Sequence, residues 1–156
     1  MTVTHTDRDS FIRFVEETSQ RLTQALIARF GGDAGREMAA EALAYGWEHW
    51  DRIAAMENPA GYLYRVGCGR GRRRRRPLLL PDPTPGGADP LVEPGLPAAL
   101  ARLTDRQRVS VMMVHGAGWT VSETAELLGI SPGSVYRHAE RGLRRLRRSL
   151  EVTPDA

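Results

Sequence analysis

Residues 120–150 read TVSETAELLGISPGSVYRHAERGLRRLRRSL, and this stretch decides the fold. Thr120 and Glu123 have the spacing of a capping box, which predicts a helix that begins there and ends at Gly129. Ser131, with a proline directly after it, predicts the start of a second helix, because serine is a preferred N-cap and proline a preferred first residue. Two helices joined by so short a turn form a helix-turn-helix.

The helix after this turn is rich in arginine, and its apolar residues follow helical spacing. In a helix-turn-helix the second helix enters the DNA major groove, which is wide enough for a helix and displays a distinct pattern for each base pair. We therefore predict base contacts from six residues at the start of this helix: Ser131, Ser134, Tyr136, Arg137, His138 and Arg141. Arg144, Arg145 and Arg148 lie further along the helix and suit phosphates. The alternative is a basic helix that is merely solvated.

The residues before this motif predict further helices. Thr104 and Gln107 form a second capping box, which predicts a helix that ends at Gly116. A short helix precedes it, from Leu96 to Leu103. The C-terminal part of the chain therefore reads as a small helical domain over residues 96–150.

Residues 77–97, PLLLPDPTPGGADPLVEPGLP, hold seven of the ten prolines. Such a composition cannot hold a helix or a central strand, and it favours extended backbone. We therefore predict an acidic linker over residues 77–95, between an N-terminal domain at 1–76 and the C-terminal one, with a tail at 151–156.

Three helices are predicted in the N-terminal domain. The first ends at the glycine pair after Phe30, and the second runs from Ala34 to Arg52 with an apolar face. Asn58 is a candidate cap for the third helix, whose glycine-rich end predicts fraying near the arginine run that follows. The predicted fold class is all-α, with two small helical domains joined by the linker.

The net charge of +3 is unevenly distributed, since six arginines fall within residues 70–76. Like charges this close repel one another unless a polyanion neutralises them, so Arg72, Arg73, Arg74, Arg75 and Arg76 are predicted to contact the DNA backbone. The alternative is a solvated segment.

Several classes of protein are disfavoured by the sequence. The single cysteine, Cys68, and four scattered histidines offer no metal-ligand spacing, and no catalytic or nucleotide-binding motif is present. We therefore expect no enzyme activity, metal or cofactor. The first residues resemble no signal peptide and no apolar run could span a membrane, so the expected location is the cytoplasm.

Two parts of the sequence resemble the sigma-70 family, in its extracytoplasmic-function group. The C-terminal part carries the patterns LxxLTxRQR, GWTVxETAxLLGIS and GSVxRHxxRGLxRLR, which are similar to region 4. Residues 32–53, GDAGREMAAEALAYGWEHWDRI, and 58–73, NPAGYLYRVGCGRGRR, are similar to region 2. The two regions occur in the family's order.

The resemblance implies a dissociable subunit of bacterial RNA polymerase that selects and opens promoters. Carried over by position, the six predicted base contacts from Ser131 to Arg141, called the −35 set from here on, would read the −35 element. A −10 set would read and melt the −10 element: Met56, Asn58, Tyr62, Tyr64 and Arg65. A clamp set would bind the polymerase clamp: Glu37, Glu41, Trp47, Glu48 and Asp51. The tyrosines could instead be core residues, and the acids could simply face water.

The implied partners are core RNA polymerase, promoter DNA and an anti-sigma protein, with the chain bound to polymerase as a monomer. The linker would either thread toward the RNA exit channel or act as a spacer. A different class stays open, namely a helix-turn-helix regulator that binds DNA as a dimer without polymerase. That class predicts palindromic half-sites about one helical turn apart.

Overall fold

The computed structural model describes residues 4–74, the N-terminal half, and residues 94–151, the C-terminal half. The regular elements of both halves are helices, which confirms the all-α prediction. They are α1 His5–Phe30, α2 Gly32–Glu48, α3 Trp50–Ile53, α4 Pro59–Arg74, α5 Leu96–Ala101, α6 Asp105–Val111, a π-helical segment Met112–Gly116, α7 Val121–Leu128 and α8 Pro132–Glu151. None of the helices in these two ranges is both long and apolar enough to cross a bilayer.

The N-terminal half is built on the long helix α1. Its apolar face packs against α2 and α4, and the fully buried residues there include Leu22, Leu26, Met38 and Leu63. The predicted stop after Phe30 is correct, although α2 begins without delay at Gly32 rather than at Ala34.

The prediction of one continuous helix to Arg52 is wrong, because the backbone leaves the helical conformation at His49, with φ −120° and ψ 21°. The His49 ring Nδ1 lies 3.0 Å from the Tyr45 carbonyl oxygen, which also accepts the His49 backbone N–H. The break reorients the chain so that Trp50 is buried at the start of α3. Its ring lies 4.9 Å from that of Phe14, and its Nε1 donates a hydrogen bond to Ser10 Oγ at 3.3 Å.

Asn58 caps α4 as predicted, because its Oδ1 accepts the backbone N–H of Gly61 at 2.9 Å. Two of the three glycines that suggested fraying, Gly67 and Gly71, lie where other residues approach α4 closely. A Cβ built on Gly67 would lie 2.9 Å from Leu26 Cδ1, and one on Gly71 would lie 2.5 Å from the Phe30 ring. The helix continues to Arg74, and the predicted fraying beyond it falls outside the described residues.

Both predicted capping boxes are present in the C-terminal half, at Thr104 with Gln107 and at Thr120 with Glu123. Helix α7 ends at Gly129, whose φ of 67° is the left-handed conformation that glycine adopts without strain. One expectation needs correction: the helix from Thr104 is α-helical only to Val111 and then widens into the π-helical segment.

The two halves pack against each other. Helices α1 and α4 on one side contact α6, the π-helical segment and α7 on the other. One buried apolar cluster extends across this boundary, in which Leu22 and Leu26 share a core with Val109, Met113 and Leu127.

Candidate nucleic-acid interface

Helix α8 presents one apolar and one basic face. Val135, Ala139, Gly142 and Leu146 are buried, and their spacing of three to four residues keeps them on the side that packs against α6 and α7. The opposite side carries exposed arginines along its whole length. The prediction that Val135 and Ala139 turn to the core is therefore confirmed, and the side predicted to face DNA is exposed.

The N-terminus of α8 is held by a short polar network. Ser131 Oγ accepts the backbone N–H of Ser134 at 3.1 Å and lies 3.0 Å from the Ser134 hydroxyl. Arg137 Nη2 donates to that same hydroxyl at 3.1 Å. The network orients one arginine at the end of the helix that a helix-turn-helix directs at base edges.

The other members of the −35 set differ in exposure. The Tyr136 ring is 59% exposed, although aromatic side chains of this size usually bury most of their surface. Arg141 is exposed, whereas Ser134 and His138 are half-buried. Burial lowers the pKa of His138, and the charges of Arg106, Arg141 and Arg137 lower it further.

Most of the residues predicted to contact phosphates are exposed. Arg144 and Arg148 lie in water, and Arg145 donates to Gln107 Oε1 of α6 at 3.1 Å. Arg72 and Arg73 are exposed at the end of α4. The Arg74 side chain and the residues Arg75 and Arg76 lie outside the described part of the chain.

The −10 set is not gathered on an open surface. Tyr64 is 5% exposed, and burial raises the pKa of its hydroxyl. Tyr62 is half-buried, with its hydroxyl oxygen 3.4 Å from that of Tyr45. Met56 is half-buried against the core, Arg65 is exposed, and Asn58 donates its side-chain N–H to the Glu126 carbonyl at 2.7 Å.

The clamp set lies on α2 and α3, before and after the break at His49. Glu37, Glu41 and Glu48 share one face of α2 by their spacing, and Glu41 forms an ion pair with Arg70 at 3.5 Å. Trp47 is 37% exposed and contacts Phe11 of α1, with the ring centroids 5.2 Å apart. Asp51 is exposed on α3, beyond the break at His49.

Sequence reasoning missed the role of Arg108. This arginine is 3% exposed and donates hydrogen bonds to both halves, including one to the Ala28 carbonyl at 2.7 Å. Two sequence signals were available: Asp105 precedes it by three residues, a spacing at which side chains meet, and the core residue Val109 follows it directly. Neither signal identifies a partner on α1.

The capped helix-turn-helix with a basic second helix defines a class, the helix-turn-helix DNA-binding proteins. Within that class, residues 95–146 match the family model described as Sigma-70, region 4. This match includes the whole of α7 and most of α8.

Among solved structures, the fold is similar to that of the sigma factor RpoE from Bartonella quintana, which was crystallised in complex with the anti-sigma factor NepR. The TM-score is 0.59 at 18% sequence identity, and the likeness covers 93% of this chain and 99% of that one. Comparison with curated protein sequences gives no match. The resemblance to sigma-70 region 4 is therefore confirmed by sequence at residues 95–146, and the fold of nearly the whole chain is similar to that of a sigma factor.

Proposed function

We propose that this protein is a sigma factor that binds bacterial core RNA polymerase and directs initiation at promoters with specific −10 and −35 elements. The observation that carries the proposal is the combination of a region 4 match at residues 95–146 with a sigma-factor fold over nearly the whole chain. The exposed basic side of α8 supports the DNA-binding part. In this role the chain supplies recognition, and the polymerase supplies the catalysis.

The proposed roles divide among three surfaces. The −35 set on α8 reads base edges in the major groove, with the arginines further along the helix on phosphates. The −10 set on α4 and the residues before it receives the opened strand, where stacking and hydrogen bonds offset the cost of unstacking a base. The clamp set and its neighbour Phe11 form a partly apolar surface for the polymerase.

The proposal also includes the partners and location of the protein. It would bind polymerase as a monomer, because the two DNA elements differ and need no two-fold symmetry. An anti-sigma protein is proposed as a further partner, since the structurally similar RpoE forms a complex with one. Such a protein works in the cytoplasm, where polymerase and promoters are.

Transcription reconstituted from purified core polymerase, this protein and a library of upstream sequences tests the proposal. We expect a subset of promoters with two separated elements to be enriched over core polymerase alone. The matched control is the double variant Arg137→Ala with Arg141→Ala, which should still bind core polymerase but lose the preference at the −35 element. The proposal is wrong if the protein enriches no sequence over core polymerase.

Selection of bound DNA sequences by the protein alone, together with its sedimentation on DNA, distinguishes the dimeric regulator. That protein would bind palindromic half-sites without polymerase and would sediment as a dimer on DNA. Selection of palindromes by the protein alone, with no binding to core polymerase, would establish the regulator instead.

A further inference from the structure

The two halves are joined by an apolar contact at the centre of the molecule. Leu22 and Leu26 of α1 lie in one cluster with Val109, Met113 and Leu127, and none of these five side chains is more than 1% exposed. Separating the halves would expose these large apolar side chains to water, which is unfavourable in proportion to the area uncovered.

Arg108 is the central polar element of this contact. Its Nε donates to the Ala28 carbonyl at 2.7 Å and its Nη2 to the Arg29 carbonyl at 3.0 Å, both in the last turn of α1. The last carbonyls of a helix have no partner within the helix and carry a partial negative charge, so a guanidinium is well suited to them. Within its own half, Arg108 also donates to the Leu103 carbonyl and to Asp105.

A second group of polar contacts joins the halves near α7. Arg21 donates to the Glu123 carbonyl at 3.1 Å and to Glu126 Oε1 at 3.2 Å. Trp119 Nε1 donates to Gln24 Oε1 at 2.6 Å. Because these bonds come from several elements, they hold the C-terminal half in one orientation.

The contact occupies part of the −10 set. The side-chain amide of Asn58 is bonded to the Glu126 carbonyl, and Tyr64 is buried. Arg65 lines a cavity of about 200 Å³ at the boundary, together with Asp105 and Arg106 of α6. The DNA-facing side of α8, in contrast, remains exposed.

We infer that the C-terminal half docks on the α1–α4 face of the N-terminal half of its own chain through Arg108, and that this docking withholds Asn58 and Tyr64 of the −10 set from DNA. The inference rests on the proposed function for the identity of the withheld ligand. Opening of the contact then becomes a required step before the −10 set can engage a DNA strand.

Cys68 provides a direct reporter of the docked state. It is the only cysteine of the chain, is 3% exposed, and lines the same cavity as Asp105, Val109 and Leu128. A buried thiol reacts with an aromatic disulfide reagent mainly through transient opening, so its reaction rate follows the population of the open state.

The test variant is Arg21→Ala with Gln24→Ala, which removes contacts to the C-terminal half from the surface of α1. The matched control is Arg13→Ala with Gln20→Ala, the same residue types at exposed positions of the same helix. Loss of a hydrogen bond from a charged group is large enough to raise the open population about 10-fold. We therefore expect the thiol of the test variant to react about 10-fold faster, and that of the control at the wild-type rate.

Arg108→Lys is a second test, because lysine keeps the charge but cannot bond both α1 carbonyls and its own half at once. It should also speed the thiol reaction, while circular dichroism reports unchanged helix content. Thiol rates equal to wild type in both variants would overturn the docking. A wild-type rate that changes with protein concentration would overturn docking within one chain and indicate contact between two chains.

Binding of labelled single-stranded DNA of mixed sequence to the full-length proteins tests whether docking keeps −10 residues from DNA. The apparent affinity of a site that is only partly available scales with its available fraction, so the Arg21/Gln24 variant should bind about 10-fold more tightly. A faster thiol reaction without a gain in DNA affinity would overturn the withholding. Failure of the proposed function would appear separately, as absence of promoter enrichment in the transcription experiment.

Discussion

Gly142 of α8 lies directly against Val111 of α6. A Cβ built on Gly142 would be 2.6 Å from Val111 Cγ2 and 3.3 Å from the Gln107 backbone oxygen. The close approach lets the basic helix sit on α6, where Arg145 reaches Gln107. A residue without a side chain at position 142 thus sets how closely α8 packs on α6.

We expect Gly142→Ala to destabilise the protein. Overpacking costs about 1–3 kcal/mol, which exceeds the gain of about 1 kcal/mol from replacing a mid-helix glycine. Gly69→Ala is the matched control, because a Cβ there meets no atom within 4 Å and should add about 0.5–1 kcal/mol of stability. Urea unfolding of both variants measures the two changes. Equal effects at the two positions would contradict the close packing of α8 on α6.

Trp47 and Tyr136 are exposed aromatic residues on opposite halves, and we predict separate partners for them. Trp47→Ala should weaken binding to core polymerase by about 2 kcal/mol, the size typical of an aromatic hot spot. Tyr136→Ala should leave polymerase binding unchanged and weaken binding to −35 DNA. Titration of each variant against core polymerase and against the selected promoter gives both values. A loss of polymerase affinity in both variants would reject the assignment of Trp47 to the clamp surface.

Arg137 and Arg147 are both on α8, but we predict different contacts for them. Arg137→Ala should cost about 1–3 kcal/mol at one or two positions of the −35 element, the size of a bidentate contact to a guanine. Arg147→Ala should weaken all sequences by a similar amount, because a phosphate contact carries no base information. Binding to a set of single-base variants of the element separates the two. A uniform loss for Arg137→Ala would make it a phosphate contact.

The lowered pKa of His138 leads us to predict that DNA binding depends on pH. Burial and the neighbouring Arg106, Arg141 and Arg137 lower its pKa in the free protein, which favours the neutral imidazole. DNA phosphates favour the charged form and raise that pKa, so binding takes up a proton. Affinity for −35 DNA should therefore increase as the pH falls from about 7.5 to about 6. His138→Gln should remove this part of the slope, and an unchanged slope would show that His138 does not face DNA.

The lowered pKa of His138 also affects the stability of the free protein, which should decrease, rather than increase, as the pH falls. Because the pKa of His138 is lowered by folding, the unfolded chain binds the proton first as the pH falls through about 6.5. His138 therefore makes the free protein less stable below that pH. Unfolding of wild type and His138→Gln on either side of pH 6.5 should show the difference shrinking above it.

Much of the local structure could be predicted from the sequence. The caps at Thr104, Thr120 and Asn58 were correct because each cap bonds a backbone N–H only three residues away. The core face of α8 was also correct, because helical periodicity places it without reference to any partner. The break at His49 and the π-helical segment could not be predicted in this way. Trp50 follows the break and Met113 lies in the π-helical segment, and both are buried in a core shared with other helices, which residue spacing alone does not specify.

The candidate site likewise contains residues whose exposure could be predicted from the sequence and residues whose surroundings could not. The exposed members of the −35 set, Tyr136, Arg137 and Arg141, follow from the register of one helix. The surroundings of the −10 set do not, because Asn58 is bonded to a carbonyl 68 residues away and Tyr64 is covered by packing. Glycines at 67 and 71, which the sequence suggested as weak points, are sites of close approach between α4 and α1.

Most helix boundaries and the basic side of α8 follow from the amino-acid sequence, because these features depend on interactions across three or four residues. In contrast, the bond from Arg108 to Ala28, a residue 80 positions earlier, and the core shared by the two halves emerge only when the chain is folded. A buried arginine needs carbonyl or carboxylate partners, and many helix ends in the chain could supply them. Which one does so is decided by the packing of all the apolar faces at once.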